Sequence, residues 1–122
     1  MAVIRLRFTR EMRITRKRDF ERIFARRCST ADDVLVIHAD ANGLAHSRLG
    51  LAVSRRIGGA VQRNRIKRQI REAFRTHQHD LPSGLDAVCI PRSGRSLETH
   101  AYAESLSRLL PVLQRRLRSR GD

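Results

Sequence analysis

The sequence predicts a single α+β domain, an α/β sandwich with its elements in the order α-β-β-β-α-β-α. Three observations carry that reading. Stretches with apolar residues at helical spacing alternate with short β-branched runs, turn signals separate them, and 122 residues suffice for one compact core but not for two. An apolar share of 40% is more than a disordered basic tail would carry, so a folded core is expected.

The first helix is expected over 18–27, where Phe20, Ile23 and Phe24 recur on one face and Asp19 and Glu21 suit the positive end of the helix dipole. A weak strand is expected over 28–31. The β-branched run 34–39, closed by Asp40, Ala41, Asn42 and Gly43, reads as a strand, as does 49–54, where Leu49, Leu51 and Val53 alternate with Gly50, Ala52 and Ser54. Gly58 and Gly59 break the chain before a strong helix over 60–76, whose apolar face is Ile66, Ile70, Ala73 and Phe74. A buried strand over 86–90 follows, stopped or edged by Pro91, and the intervening helix suggests that it runs parallel to the strand before it. The closing segment 97–117 has helical spacing, with Pro111 expected to kink or end the helix near Leu110.

The formal charge is +14, from 26 basic and 12 acidic residues. It is unevenly placed. Residues 1–27 hold 10 basic and 3 acidic side chains, and residues 55–75 hold 8 and 1. Clustering of this kind points to a polyanion, and so to nucleic acid. All the cations but Lys17 and Lys67 are arginine, whose guanidinium grips phosphate bidentately; a GC-rich genome accounts for most of that preference, but not for the clustering.

In the 60–76 helix, Asn64, Arg65, Lys67, Arg68, Arg71 and Arg75 fall outside the apolar sector. Cations at such spacings repel one another along the helix, and phosphates would relieve them. Arg63 points toward the apolar sector of an ideal helix, so its guanidinium must swing to the flank or the first turn must be irregular. A merely solvated basic face is the competing explanation, and nucleic-acid contact is favoured over it. Arg55 and Arg56 read equally well as phosphate ligands or as strand-end charges. Phe20, Ile23 and Phe24 read, from periodicity alone, as a core stripe.

The run GLAVSRRIGGAVQRNRIKR at 50–68 resembles the signature of the bacterial ribonuclease P protein subunit, in which a glycine-bearing strand and a basic pair lead into an R-N-R-x-K-R helix. The resemblance extends to FTREMRI at 8–14, DFERIF at 19–24 and DAVCI at 86–90, about three quarters of the chain; Pro91 and the region of Pro111 depart from the family pattern. It implies a ribosomal protein S5 domain 2-like sandwich with an unusual left-handed strand-helix-strand crossover around the R-N-R helix, against the usual right-handed rule. It also implies a ribonucleoprotein endoribonuclease that removes the 5′ leader of precursor tRNA. There the catalyst is the RNA subunit with its magnesium ions, and the protein, one copy per RNA, assists. Carried over by position, Arg63, Asn64, Arg65, Lys67, Arg68 and Arg71 would contact the RNA subunit. Phe20, Phe24, Gly50, Ala52 and Ser54 would line a cleft for the single-stranded leader, and Arg55, Arg56 and Arg75 are further candidate phosphate contacts.

Residues 1–122 are thus read as one RNA-binding domain, with the basic segment 1–15 and the tail 115–122 expected to be flexible. Competing readings are a ribosomal or ribosome-assembly protein and a DNA-binding regulator, but no helix-turn-helix pair supports DNA as a partner. No apolar run approaches the ~20 residues of a membrane helix, and Arg5 and Arg7 interrupt any signal core, so the cytoplasm is expected and a membrane partner is not. Cys28 and Cys89 suit reduced thiols, while His77 and His79 have no metal spacing. No catalytic triad or carboxylate pair is apparent, so the protein is expected to hold neither catalytic residues nor a metal of its own.

Overall fold

Every helical stretch in the sequence becomes a helix and every β-branched run a strand in the computed structural model, which describes residues 7–94 and 97–120. The elements are α1 (Lys17–Ala25), β1 (Ser29–Ala31), β2 (Leu35–Ala41), β3 (Arg48–Leu51), α2 (Ala60–His77), β4 (Leu85–Pro91) and α3 (Thr99–Ser119). The strands form one sheet in the order β1-β2-β4-β3. Its pairs are antiparallel except β3 with β4, which are parallel neighbours joined through α2.

Side chains alternate between the two faces of the sheet. Leu35, Ile37 and Ala39 of β2, Ala87 and Cys89 of β4 and Leu49 of β3 share one face, where α2 and α3 supply Ile66, Ile70, Phe74, Tyr102, Leu106 and Leu113 to the main core. On the opposite face α1 lays Ile23 and Phe20 over Val88. Both cysteines are free and buried, and burial pushes the Cys89 thiol up to about 12, so it stays protonated.

The strand expected over 49–54 ends at Leu51. The Ala52 N–H still donates to the Cys89 carbonyl at 3.1 Å, but the next bond of this parallel ladder would need an N–H at residue 91. Proline has none. Pro91 therefore ends the pairing of β3 with β4, although β4 still bonds β2 beyond it through the Arg92 N–H and the Val34 carbonyl at 3.1 Å. After β3 the chain enters a 3-10 turn at Arg55–Ile57. At the other end, α1 stops at Ala25 and Arg27 enters the left-handed region with φ of 54°.

Pro111 neither ends nor visibly divides α3, contrary to expectation, for the helix runs through it to Ser119. A proline inside a helix costs about 3 kcal/mol. Beyond it, however, Leu113 and Leu117 are both buried, and each such burial contributes roughly 1.5–3 kcal/mol. Core packing outweighs the break.

The tail expected to be flexible from residue 115 continues α3 to Ser119, with Leu117 buried. Arg116 donates to the Ser29 carbonyl at 2.7 Å, and Arg120 donates to those of Arg26 and Arg27 at 2.9 and 3.2 Å. In the N-terminal segment expected to be flexible, Ile14 is buried and its N–H donates to the Leu49 carbonyl at 3.0 Å, along the edge of β3. Residues 1–6 and 121–122 of those two expectations lie outside the described residues.

Candidate nucleic-acid interface

The helix α2 begins where Gly58 takes φ 156° with ψ −171°, a conformation essentially reserved for glycine. A Cβ there would also stand 3.2 Å from the Gln62 side chain. Once Ile66, Ile70, Ala73 and Phe74 are buried, the remaining directions are fixed. Asn64, Arg65 and Arg68 are exposed, while Lys67, Arg71 and Arg75 are half-buried. Arg63 does stand apart: it is half-buried, and its Nε is covered without a hydrogen-bond partner. Arg55 and Arg56 are exposed on the 3-10 turn just before the helix. Arg75 is occupied, donating from Nε to Glu72 Oε2 at 2.9 Å.

The other candidate surface lies on the α1 face of the sheet. Gly50 sits beneath Phe20, and a Cβ at Gly50 would meet the ring at 3.1 Å and Ile14 at 3.2 Å. At Gly50, one of the residues expected to line the leader cleft, the space over the strand is thus filled by Phe20 and Ile14 of the chain itself. Phe20 is half-buried against Ile14, Ile23 and Val88, so it is partly core, as its spacing suggested. Phe24 is 38% exposed and meets the His38 ring edge-on, centroids 4.8 Å apart. Ala52 is half-buried and Ser54 exposed. His38 was missed in the sequence, where it read as one residue of a strand. Its Nδ1 is buried without a partner, and burial lowers its pKa. Only its place in the β2 alternation, between Val36 and Asp40 on the α1 face, could have found it.

An ionic network holds α1 in place. The fully buried Asp86 accepts hydrogen bonds from Arg48, Asn42 and Arg22, and Arg22 also reaches Asp40 at 2.6 Å. Burial alone would raise the Asp86 pKa, but those three donors outweigh it and hold it below the ordinary value.

Residues 8–115 match the family described as Ribonuclease P. The chain belongs to that family. A ribonuclease P protein component of Thermotoga maritima is 43% identical over 91 residues, covering 75% of this chain and 78% of the relative. That of Streptococcus pneumoniae is 39% identical over 105 residues, covering 86% and 84%. Among solved structures, the ribonuclease P protein of Staphylococcus aureus is 35% identical with a TM-score of 0.72, covering 83% of this chain and 94% of that one. A Thermotoga maritima ribonuclease P protein gives the same identity and TM-score, covering 84% and 96%. The mixed four-stranded sheet with three helices is thus the architecture of ribonuclease P proteins. As a member, the chain is a protein component of the ribonucleoprotein that processes tRNA 5′ ends, and its partner there is ribonuclease P RNA. No helix among the described residues is long and apolar enough to cross a membrane.

Proposed function

We propose that α2 is the contact with the catalytic RNA subunit, and that the Phe24 and His38 face of the sheet receives the single-stranded 5′ leader of precursor tRNA. The observation that carries the proposal is the division of the molecule: cations crowd one helix, while aromatic and small side chains surface across the sheet from it. Arg65, Arg68, Asn64, Lys67 and Arg71 take RNA phosphates, with Arg63 at the flank and Arg55 and Arg56 just before the helix. Phe24, Phe20, Ala52 and Ser54 meet leader bases, and Gly50 serves as the seat of Phe20. A base stacked on an aromatic ring contributes roughly 1–3 kcal/mol without reading sequence, which suits leaders of differing sequence.

Cleavage in this reading is the work of the RNA, with one protein per RNA subunit. The magnesium that such chemistry uses does not fit the chain's own side chains. The side chains lining the groove beside α2 are mostly cationic, and their one carboxylate, Glu72, is taken by Arg75. The described residues contain no group of three or more acidic, His or Cys ligands for a metal. Metal held by RNA phosphates, which the protein's cations organise, is the arrangement proposed. The test is reconstitution. RNA-free protein should leave precursor tRNA intact, and adding ribonuclease P RNA with magnesium should restore 5′ maturation at moderate ionic strength. Cleavage by RNA-free protein under contaminant controls would sink the proposal.

A further inference from the structure

On the side of α2 turned toward the N-terminal segment, Phe8, Arg13, Asn64, Arg68 and Arg71 line a groove of about 430 Å³. Its second wall is held by packing. Arg13 lies over the Phe8 ring, 5.2 Å from the centroid, and Phe8 meets the buried Phe74 edge-on at 5.7 Å. The backbone of this segment is tied down on both sides of Arg13. Gln78 Nε2 donates to the Arg7 carbonyl at 2.8 Å, and the Ile14 N–H donates to Leu49. Arg13 is therefore positioned by α2 and β3 rather than by a counter-ion.

Charge in the groove is one-sided. Its one lining carboxylate, Glu72, has both oxygens taken by Arg75. Among the described residues, Arg13, Arg68 and Arg71 form no ion pair with a carboxylate, and burial, then the nearness of Arg13, lowers the Arg71 pKa. Two guanidiniums brought together without an anion raise the free energy of the free protein. A phosphodiester answers this arrangement, since each of its two non-bridging oxygens can accept from one guanidinium.

We infer that the groove is a shared phosphate site, in which Arg13 of the N-terminal segment and Arg71 of α2 grip one backbone phosphate of the RNA subunit. The inference rests on α2 being the RNA-subunit contact, and it extends that contact to a segment preceding the first helix. The bound phosphate ties the segment to α2 and relieves the repulsion between the two arginines.

Four variants test it: Arg13→Gln, Arg71→Gln, the double variant, and Arg65→Gln as an exposed reference on the same helix. Affinity for ribonuclease P RNA is measured at several salt concentrations, with thermal melts of the free proteins. Each single change in the groove should weaken binding about tenfold, and the double variant by clearly less than the product, because both side chains serve one phosphate. Losses from Arg13→Gln and Arg65→Gln should multiply. The free Arg13→Gln protein should melt no lower than wild type, whereas a purely structural Arg13 would lower it. Unchanged binding by Arg13→Gln beside weakened binding by Arg65→Gln would overturn the groove and leave the α2 contact standing. Multiplying losses at Arg13 and Arg71 would likewise overturn the shared site. Unchanged binding by every variant would overturn the α2 contact itself.

Discussion

Arg48 and Asp86 face each other across the parallel pair β3 and β4. The guanidinium gives Nε to Oδ1 at 2.8 Å and a terminal nitrogen to Oδ2 at 2.6 Å. Asn42 and Arg22 take up further acceptor capacity of the same carboxylate, and Arg22 belongs to α1. One buried charge thus joins the sheet to the helix that carries Phe20 and Phe24.

Removing that charge should be costly, because Asp86→Asn leaves two guanidiniums beside a neutral amide. Breaking a buried pair in this way costs about 3–5 kcal/mol, and thermal or urea unfolding measures it. The pH dependence follows from the lowered pKa of Asp86. A carboxylate depressed in the folded state contributes stability above its unfolded pKa and loses it as pH falls through the folded value. Wild-type stability should therefore fall below the ordinary carboxylate range, and Asp86→Asn should flatten that fall.

The parts of this design that could be read in the sequence are those governed by local patterning. The α2 face was legible because Ile66, Ile70, Ala73 and Phe74 keep helical spacing, and the β2 strand because its residues alternate. The network around Asp86 was not, since Arg22, Asn42, Arg48 and Asp86 meet only through the sheet register. Nor was the covering of Gly50 by Phe20, or the pairing of Phe24 with His38, each joining α1 to a distant strand. Pro111 misled for the converse reason. A local rule about backbone donors gave way to tertiary burial of Leu113 and Leu117.

That conflict at Pro111 leaves a stabilising change within reach. Alanine restores the helical N–H and removes the ring's pressure on the carbonyl one turn earlier, at Ser107. Pro111 is only half-buried, so little packing is sacrificed. Pro111→Ala should stabilise the free protein by about 1–3 kcal/mol, seen as a raised melting temperature with unchanged RNA binding. A lowered melting temperature would show that the ring's packing outweighs the backbone defect.

On α2, replacing Arg65 and Arg68 together with Ala should leave stability within about 0.5 kcal/mol, since both are exposed and outside the core. Affinity for the RNA subunit should fall, and so should its salt dependence. For every phosphate that no longer meets a cation, the slope of log K against log salt becomes shallower by roughly 0.7–0.9. Extra magnesium should partly restore cleavage by the reconstituted enzyme. Unchanged affinity and slope would reduce the helix face to a solvated surface.

The two phenylalanines of α1, equivalent by spacing, are not equivalent in their surroundings, so their variants should differ. Phe20 fills the space over Gly50 and packs on Ile14 and Val88, whereas Phe24 is open on one side and rests against His38. Leucine keeps apolar bulk and removes the aromatic face. Phe24→Leu should therefore melt close to wild type, yet weaken binding of precursor tRNA to the reconstituted enzyme by about 1–2 kcal/mol, with little change for mature tRNA, which has no leader. Phe20→Leu should lower stability as well, by roughly 1 kcal/mol, because its ring is part of the packing. Gly50→Ala separates the seat from the ring. Its added Cβ, 3.1 Å from Phe20 and 3.2 Å from Ile14, must push one of them outward, so it should lower stability and leader-dependent affinity together while sparing mature tRNA. Parallel binding titrations of the two tRNAs at fixed magnesium and salt, with melts of each free variant, decide the matter. Equal losses for both tRNAs with Phe24→Leu would mean that the leader does not pass over α1.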